Sequence, residues 1–288
     1  NKRGFMPELP EVETVARTLA PQVQGCIIEG SRLLRSGSLH GLSLRLDSLH
    51  GRRIAGTGRR GKLLLLHLEP LKGSGAYDAP HCLIIHLRMT GRLMTWPEGT
   101  LPGPHTRCIW NLRAPNGLSR SLFFDDTRAF GLIIAASPAI LWAWDFWREL
   151  GPEPLDLPLQ DFAAILAVRK AAIKAVLLDQ KAVAGIGNIY ADESLFRAGI
   201  DPRRSASGLK GEEVAALWRA LQAVLHLSIE QCGSSIRDYR DANGDVGAFQ
   251  NSFAVYGRGG QACKHCGRKL VRIRVAGRST VVCTRCQR

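Results

Sequence analysis

The stretch CKHCGRKLVRIRVAGRSTVVCTRC (263–286) decides how the chain divides. Cys263-x2-Cys266 and Cys283-x2-Cys286 are separated by sixteen residues, which is zinc-ribbon spacing. Each pair sits at a turn, and VRIRV and STVVC supply the two strands of a hairpin. Four thiolates close a tetrahedral shell and leave no position for water. One structural Zn2+ is therefore expected, in place of the hydrophobic core so short a segment lacks. The other four cysteines, Cys26, Cys82, Cys108 and Cys232, lie among apolar neighbours and read as small buried hydrophobes, not as a disulfide framework.

Charge points to the partner. The 288 residues carry 39 Lys and Arg against 25 Asp and Glu, a net +14, which favours a polyanion and most commonly nucleic acid. The excess is clustered. Residues 258–288 hold nine basic side chains and no acidic one, and GRRIAGTGRRGK (51–62) holds five and none. Such clusters on loops and hairpins suit phosphate contact. No apolar run approaches the roughly 20 residues of a membrane span. NKRGF (1–5) is followed by no apolar core of a signal peptide, so a cytoplasmic setting is expected.

Along the chain, Leu9, Val12, Ala16 and Leu19 follow helical spacing, which Pro21 should stop. From about residue 26 to 136, short apolar runs recur between turn signals: LSLRLDSL, KLLLLHL, CLIIHLRM, RLMTW, CIWNLR, SLFFDD and GLIIAA. They predict a β-sandwich or barrel. GSGAYDAP (73–80) and PEGTLPGPHT (97–106) read as loops, and the tryptophan-rich 139–158 as a bridge. Helices are expected through 159–232, with Gly233 as an end cap, followed by a long glycine-rich stretch to 258. The fold class is α+β and multidomain: a β-sandwich with a leading helix, a helical domain and a four-cysteine β-hairpin. The expected boundaries are 6–137, 138–257 and 258–288, with 1–5 a non-native or upstream extension.

Two further stretches carry chemistry. In LLDQKAVAGIGNIYADESLF (177–196) two helices flank a turn with Gly185 and Gly187, and Asn188 stands at the expected N-cap. Such a turn lets backbone amides approach an anion, although an ordinary capped helical hairpin would read the same way. In MPELPEVET (6–14), acids at a helix start are ordinary. A free Pro7 would be more than that. It is a secondary amine able to attack a sugar's anomeric carbon and form an iminium. An α-amine in general titrates at about 7.7–8.0, so part of one is unprotonated at neutral pH, and Glu8 beside Pro7 is a candidate proton donor and acceptor. As an internal residue, its nitrogen is an amide with no lone pair to offer. Translation from Met6 followed by methionine removal is expected to free it.

MPELPEVET, AGIGNIYADESLF, FAVYGRGGQACKHCGRKL and RSTVVCTRCQ together resemble the formamidopyrimidine-DNA glycosylase family, bacterial type with a zinc finger, from Met6 to Arg288. The resemblance implies a bifunctional DNA glycosylase and AP lyase. It would excise 8-oxoguanine and formamidopyrimidines from double-stranded DNA and nick the strand by β,δ-elimination. It assigns Pro7 as nucleophile, Glu8 as acid/base, and Lys62 on a hairpin and Arg278 on the zinc hairpin as phosphate contacts that assist catalysis. Lys174 and Asn188 match phosphate contacts of the helix–two-turn–helix. Met89, Arg128 and Phe130 match the trio that fills the void left by an extruded base. The residues alone suggest instead a core role for Met89 and a strand role for Phe130. His105 joins the DNA-contact set, and Glu11 matches a residue near the lesion pocket. The loop 233–257 matches the segment that covers the extruded base. Ala129 departs from the family, which often has a bulky or basic residue there. Two alternatives remain: a damaged-DNA-binding protein without catalysis if the extension is native, and an endonuclease VIII-like enzyme for oxidised pyrimidines. A monomer is expected.

Overall fold

The computed structural model describes residues 6–69, 79–235 and 239–288. The NKRGF extension, most of GSGAYDAP and residues 236–238 of the covering loop lie outside the described residues. The chain forms two compact units: residues 1–148 with 232–247, and residues 149–231 with 248–288.

The first unit opens with helix α1 (Leu9–Val23), whose Val12, Val15, Ala16, Leu19 and Val23 share one face and join the core. Pro21 does not stop it. It lies in the last turn, and the chain turns away at Gly25, whose φ is +79°. Among the described residues eight strands follow: β1 (Ile27–Leu33), β2 (Ile54–Arg60), β3 (Leu63–Leu68), β4 (Cys82–His86), β5 (Gly91–Pro97), β6 (Thr106–Arg113), β7 (Ser119–Asp126) and β8 (Leu132–Ala136). They build two antiparallel four-stranded sheets, ordered β1-β6-β7-β5 and β2-β3-β4-β8. The core between them takes Trp110, Leu122 and Phe124 from one sheet and Leu64, Leu66, Ile85 and Ile133 from the other. This is a sandwich.

Three departures from expectation have physical causes. LSLRLDSL is not a strand: its end is a 3-10 turn, Leu46–Leu49, which buries Leu46 and Leu49 three residues apart. IIEGSRL and IAGTGRR, not anticipated as strands, are β1 and β2. Both lie at sheet edges, and of β2 only Ile54 is fully buried, so their apolar signal is weak.

The near-continuous runs of β3, β4 and β8 arise because that sheet is buried on both faces. Leu63, Leu65, Ile84, His86 and Ile134 point away from the sandwich core yet stay buried. The tryptophan-rich bridge supplies α2 (Pro138–Ala143) and α3 (Asp145–Arg148), and its Trp144 packs at a tilt against Phe146 and against His40, at centroid distances of 5.4 Å. The bridge up to Arg148 thus belongs to the first unit.

The second unit holds α4 (Leu159–Ala167), α5 (Ile173–Leu178), α6 (Asn188–Arg197), α7 (Gly211–Glu230) and the hairpin of β9 (Val271–Val275) and β10 (Arg278–Val282). Tyr190 and Ser228 join α6 to α7 through their hydroxyls at 2.6 Å. After α7 the left-handed position falls first on Cys232 (φ +58°) and then on Gly233 (φ +78°). Cys232 is exposed, contrary to the expectation that it is a core residue.

Burial, followed by the Arg88 and Lys62 charges, lowers the His86 pKa to about 3. An unfolded histidine titrates near 6.5. His86 therefore contributes stability that is complete above about pH 6.5 and lost as pH falls toward 3. Over that interval the urea midpoint of His86→Phe should fall less than that of the unsubstituted protein.

Candidate DNA-damage site

The sandwich unit carries seven of the ten candidate catalytic and DNA-contact residues. Pro7 and Glu8 are both buried at the head of α1. Glu8 is the helix N-cap, and its N–H donates to Glu11 Oε2 at 2.9 Å. The other oxygen of Glu11 accepts from the Ser234 N–H (2.8 Å) and hydroxyl (2.9 Å). The Tyr239 hydroxyl donates to the Glu11 carbonyl at 3.1 Å. Glu11 is 0% exposed, so one buried carboxylate fixes both the proline segment and the base of the 233–247 loop. Gly233 must be glycine here, since a Cβ would meet Glu11 Cγ at 3.0 Å at a φ of +78°.

Lys62 lies in the two-residue turn between β2 and β3. Gly61 takes the first central position at φ +56°, the place that a type II′ turn gives to glycine. Met89 sits half-buried on the β4–β5 turn, not in the core, and Phe130 is 52% exposed on the β7–β8 loop, not in a strand. The Arg128 guanidinium stacks over the Phe130 ring, 4.9 Å from its centroid. His105 is exposed just before β6, and its carbonyl accepts the Asp126 N–H at 2.9 Å. Ala129 adopts φ +53°.

Sequence reasoning missed the group that organises this edge. Asp126, 1% exposed at the end of β7, accepts from the Gly131 N–H (2.7 Å), the Arg128 N–H (3.2 Å) and the Thr90 hydroxyl. Thr90, next to Met89, also accepts from the Arg128 N–H at 3.1 Å. The Met89 turn and the Arg128–Phe130 loop are therefore joined through one carboxylate. An acidic residue closing a strand before a glycine-ended loop was the available signal.

In the second unit the four cysteine sulfurs lie within 4.8 Å of one another. Cys263–Cys286 and Cys266–Cys283 separations are 3.9 and 3.4 Å. A tetrahedron with Zn–S bonds of about 2.3 Å has edges of about 3.8 Å, so the set fits one zinc ion. The hairpin between the pairs closes through Ala276 and Gly277, both at positive φ as a type I′ turn requires, and leaves Arg278 exposed.

Two expectations change here. Lys174 is 0% exposed and cannot reach a phosphate from this position. Its ammonium bonds Asp192 Oδ1 (2.5 Å), Thr280 Oγ1 (2.6 Å) and the Ser279 carbonyl (3.4 Å), locking the zinc hairpin to α6. Burial raises the Asp192 carboxyl to about 6 even though Lys174 pulls it down. Asn188 is the first helical residue, not the cap. Gly187 takes the extended cap conformation, and Asn188 Nδ2 donates to the Ser279 carbonyl at 3.0 Å. The glycine turn before it is braced by Gln180, which accepts from the Gly185 N–H (2.9 Å) and donates to the Ile186 carbonyl (2.8 Å). Glu193, on the buried side of α6, accepts the N–H groups of residues 254, 255 and 256 at 2.7–3.0 Å.

Known proteins share this arrangement. Residues 6–133 match the formamidopyrimidine-DNA glycosylase N-terminal domain, 150–240 the H2TH domain of that glycosylase, and 260–288 a zinc finger found in FPG and IleRS. The chain is 50% identical to the formamidopyrimidine-DNA glycosylase of Moorella thermoacetica, covering 93% of this chain and 95% of that one. It is 42% identical to that of Nitratidesulfovibrio vulgaris, covering 98% and 100%. Among solved structures, MutM (Fpg) from Thermus thermophilus matches at TM-score 0.83 and 40% identity over 98% of both chains. Lactococcus lactis Fpg, in complex with DNA containing N7-benzyl-Fapy-dG, matches at 0.84 and 32% over 98% and 99%.

Lys174→Met should destabilise the second unit by about 3–5 kcal/mol, because it strands a buried carboxylate. Adding Asp192→Leu should recover most of that loss. Urea unfolding with zinc release as the probe measures both.

Proposed function

The chain belongs to the formamidopyrimidine-DNA glycosylase family, and on that premise we propose that it is a bifunctional DNA glycosylase and AP lyase of base excision repair. Its substrate is double-stranded DNA carrying 8-oxoguanine, formamidopyrimidines or abasic sites. The observation that carries the reading is the head of α1, where Pro7 and Glu8 are buried and Glu11 ties them to the 233–247 loop.

The freed Pro7 nitrogen attacks C1′ of the damaged nucleotide. A C–N bond forms, the N-glycosidic bond breaks, and the base leaves with its electron pair and gains a proton. The attacking nitrogen gives up its proton, and its lone pair then closes a C=N bond as the C1′–O4′ bond breaks and O4′ takes a proton; the resulting iminium is already cationic, so it draws off electrons at C2′ without further protonation. Loss of a C2′ proton then expels the 3′ phosphate, and a second elimination expels the 5′ phosphate. Glu8, fixed at the helix start, handles protons beside this nitrogen. Lys62 and Arg278 supply positive charge to phosphates, and His105 and Asn188 add polar contacts. Met89, Arg128 and Phe130 occupy the space left by the extruded base. The bound zinc supplies no chemistry of its own: it holds the hairpin that presents Arg278. The protein works as a monomer on the bacterial nucleoid.

Zinc-loaded protein beginning at Pro7 should be trapped covalently by borohydride on a duplex containing 8-oxoguanine. The form retaining residues 1–6 should bind without forming an adduct. A Pro7-initiated protein that gives no adduct overturns the enzymatic reading and leaves a damaged-DNA clamp. Asp126→Ala should slow 8-oxoguanine excision by roughly tenfold, equivalent to about 1.4 kcal/mol of lost help with extrusion. Nicking of a preformed abasic duplex, which has no base to extrude, should change much less.

A further inference from the structure

One imidazole stands beside the zinc ligands without belonging to their set. His265 lies between the first two ligands, in Cys263-Lys264-His265-Cys266, and its side chain is exposed. Its Nδ1 reaches across to the second pair and stands 3.4 Å from Cys286 Sγ. The atoms that all lie within 4.8 Å of one another are the four sulfurs and not the imidazole. Four thiolates therefore fill the shell, and His265 is an outer partner.

With zinc bound, Cys286 is a thiolate and can only accept, so the His265 Nδ1–H donates to it. That bond also keeps a competent zinc donor next to one corner of the tetrahedron. Imidazole nitrogen is a common zinc ligand, and Cys3His is a structural zinc set in its own right. In neutral imidazole either nitrogen can carry the proton, and exchange with solvent frees a lone pair on the other. Rotation between staggered positions of an exposed side chain is enough to carry Nδ1 across 3.4 Å.

Burial shows where a substitute would serve. Cys263 and Cys283 are buried, whereas Cys266 and Cys286 are only half-buried. The imidazole is bonded to one of the two sulfurs that solvent reaches.

We infer that His265 is a reserve zinc ligand: it braces the Cys286 thiolate in the intact site and takes the fourth position when that sulfur is lost. Cys263, Cys266, Cys283 and His265 would then keep the β9–β10 hairpin folded, with Arg278 beside its turn. Retention of the metal does not rest on the glycosylase reading.

Cobalt(II) is the probe, because its d–d bands report the donor set. Full-length Cys286→Ala should bind Co2+ with bands at higher energy than those of the unsubstituted protein, since nitrogen replaces sulfur. Cys286→Ala/His265→Ala should bind it at least about a hundredfold more weakly, the upper end of what an outer partner alone is worth. Cys283→Ala, which removes a buried sulfur, should lose the metal to a similar extent. With all four cysteines present, His265→Ala, an exposed substitution, should speed zinc transfer to a chelator by about tenfold. Equal cobalt affinity of Cys286→Ala with and without His265 would overturn the inference. So would Cys286→Ala binding no better than Cys283→Ala, or an unchanged rate of zinc transfer in His265→Ala.

Discussion

A carboxylate that never meets water joins the beginning of this chain to a segment 223 positions later. Glu11 bonds the N–H of Glu8 with one oxygen and Ser234 with the other. The cost of burying a charge is offset only if every lone pair finds a donor, so the geometry on each side is tightly specified. The loop base cannot shift without uncovering Glu11, and Glu11 cannot shift without releasing the helix start. Tyr239, with its phenol held protonated by burial and by the nearby Glu11 charge, reinforces the same join.

The second unit uses the same device. Asp192 bonds Lys174 and, through its other oxygen, the Val281 N–H at 3.3 Å, while Glu193 caps three successive amides ahead of the zinc hairpin. The hairpin's own cluster is small: Val255, Cys263, Leu270, Val281 and Cys283, with Phe196 of α6 against it. Metal and buried charge together do what a larger apolar core does in the sandwich.

The sandwich was legible because its inner strands alternate or run continuously apolar, and the zinc ligands because their spacing admits one geometry. Edge strands β1 and β2 were not, since glycine and arginine carry no period there. The roles of Lys174 and Asp126 were hidden for a different reason. A lysine in a basic protein reads as a phosphate contact until its partners, Asp192 and Thr280, are brought together by a fold that joins positions 18 and 106 residues away. Met89 and Phe130 were misjudged from hydrophobicity alone: both are apolar, and neither is in the core. Only the family resemblance pointed them outward.

The Thr90–Asp126 join has a mechanical consequence. Side chains meant to enter a base stack usually lose rotational freedom on insertion, and that loss weakens binding. Here the two loops share one anchor, and Arg128 already lies on Phe130. Met89 and Phe130 therefore behave as teeth of one rigid comb rather than as independent probes. Much of their ordering entropy is lost at folding, so on the proposed role an intact duplex would be tested by a stiff edge that enters only where stacking is already weak.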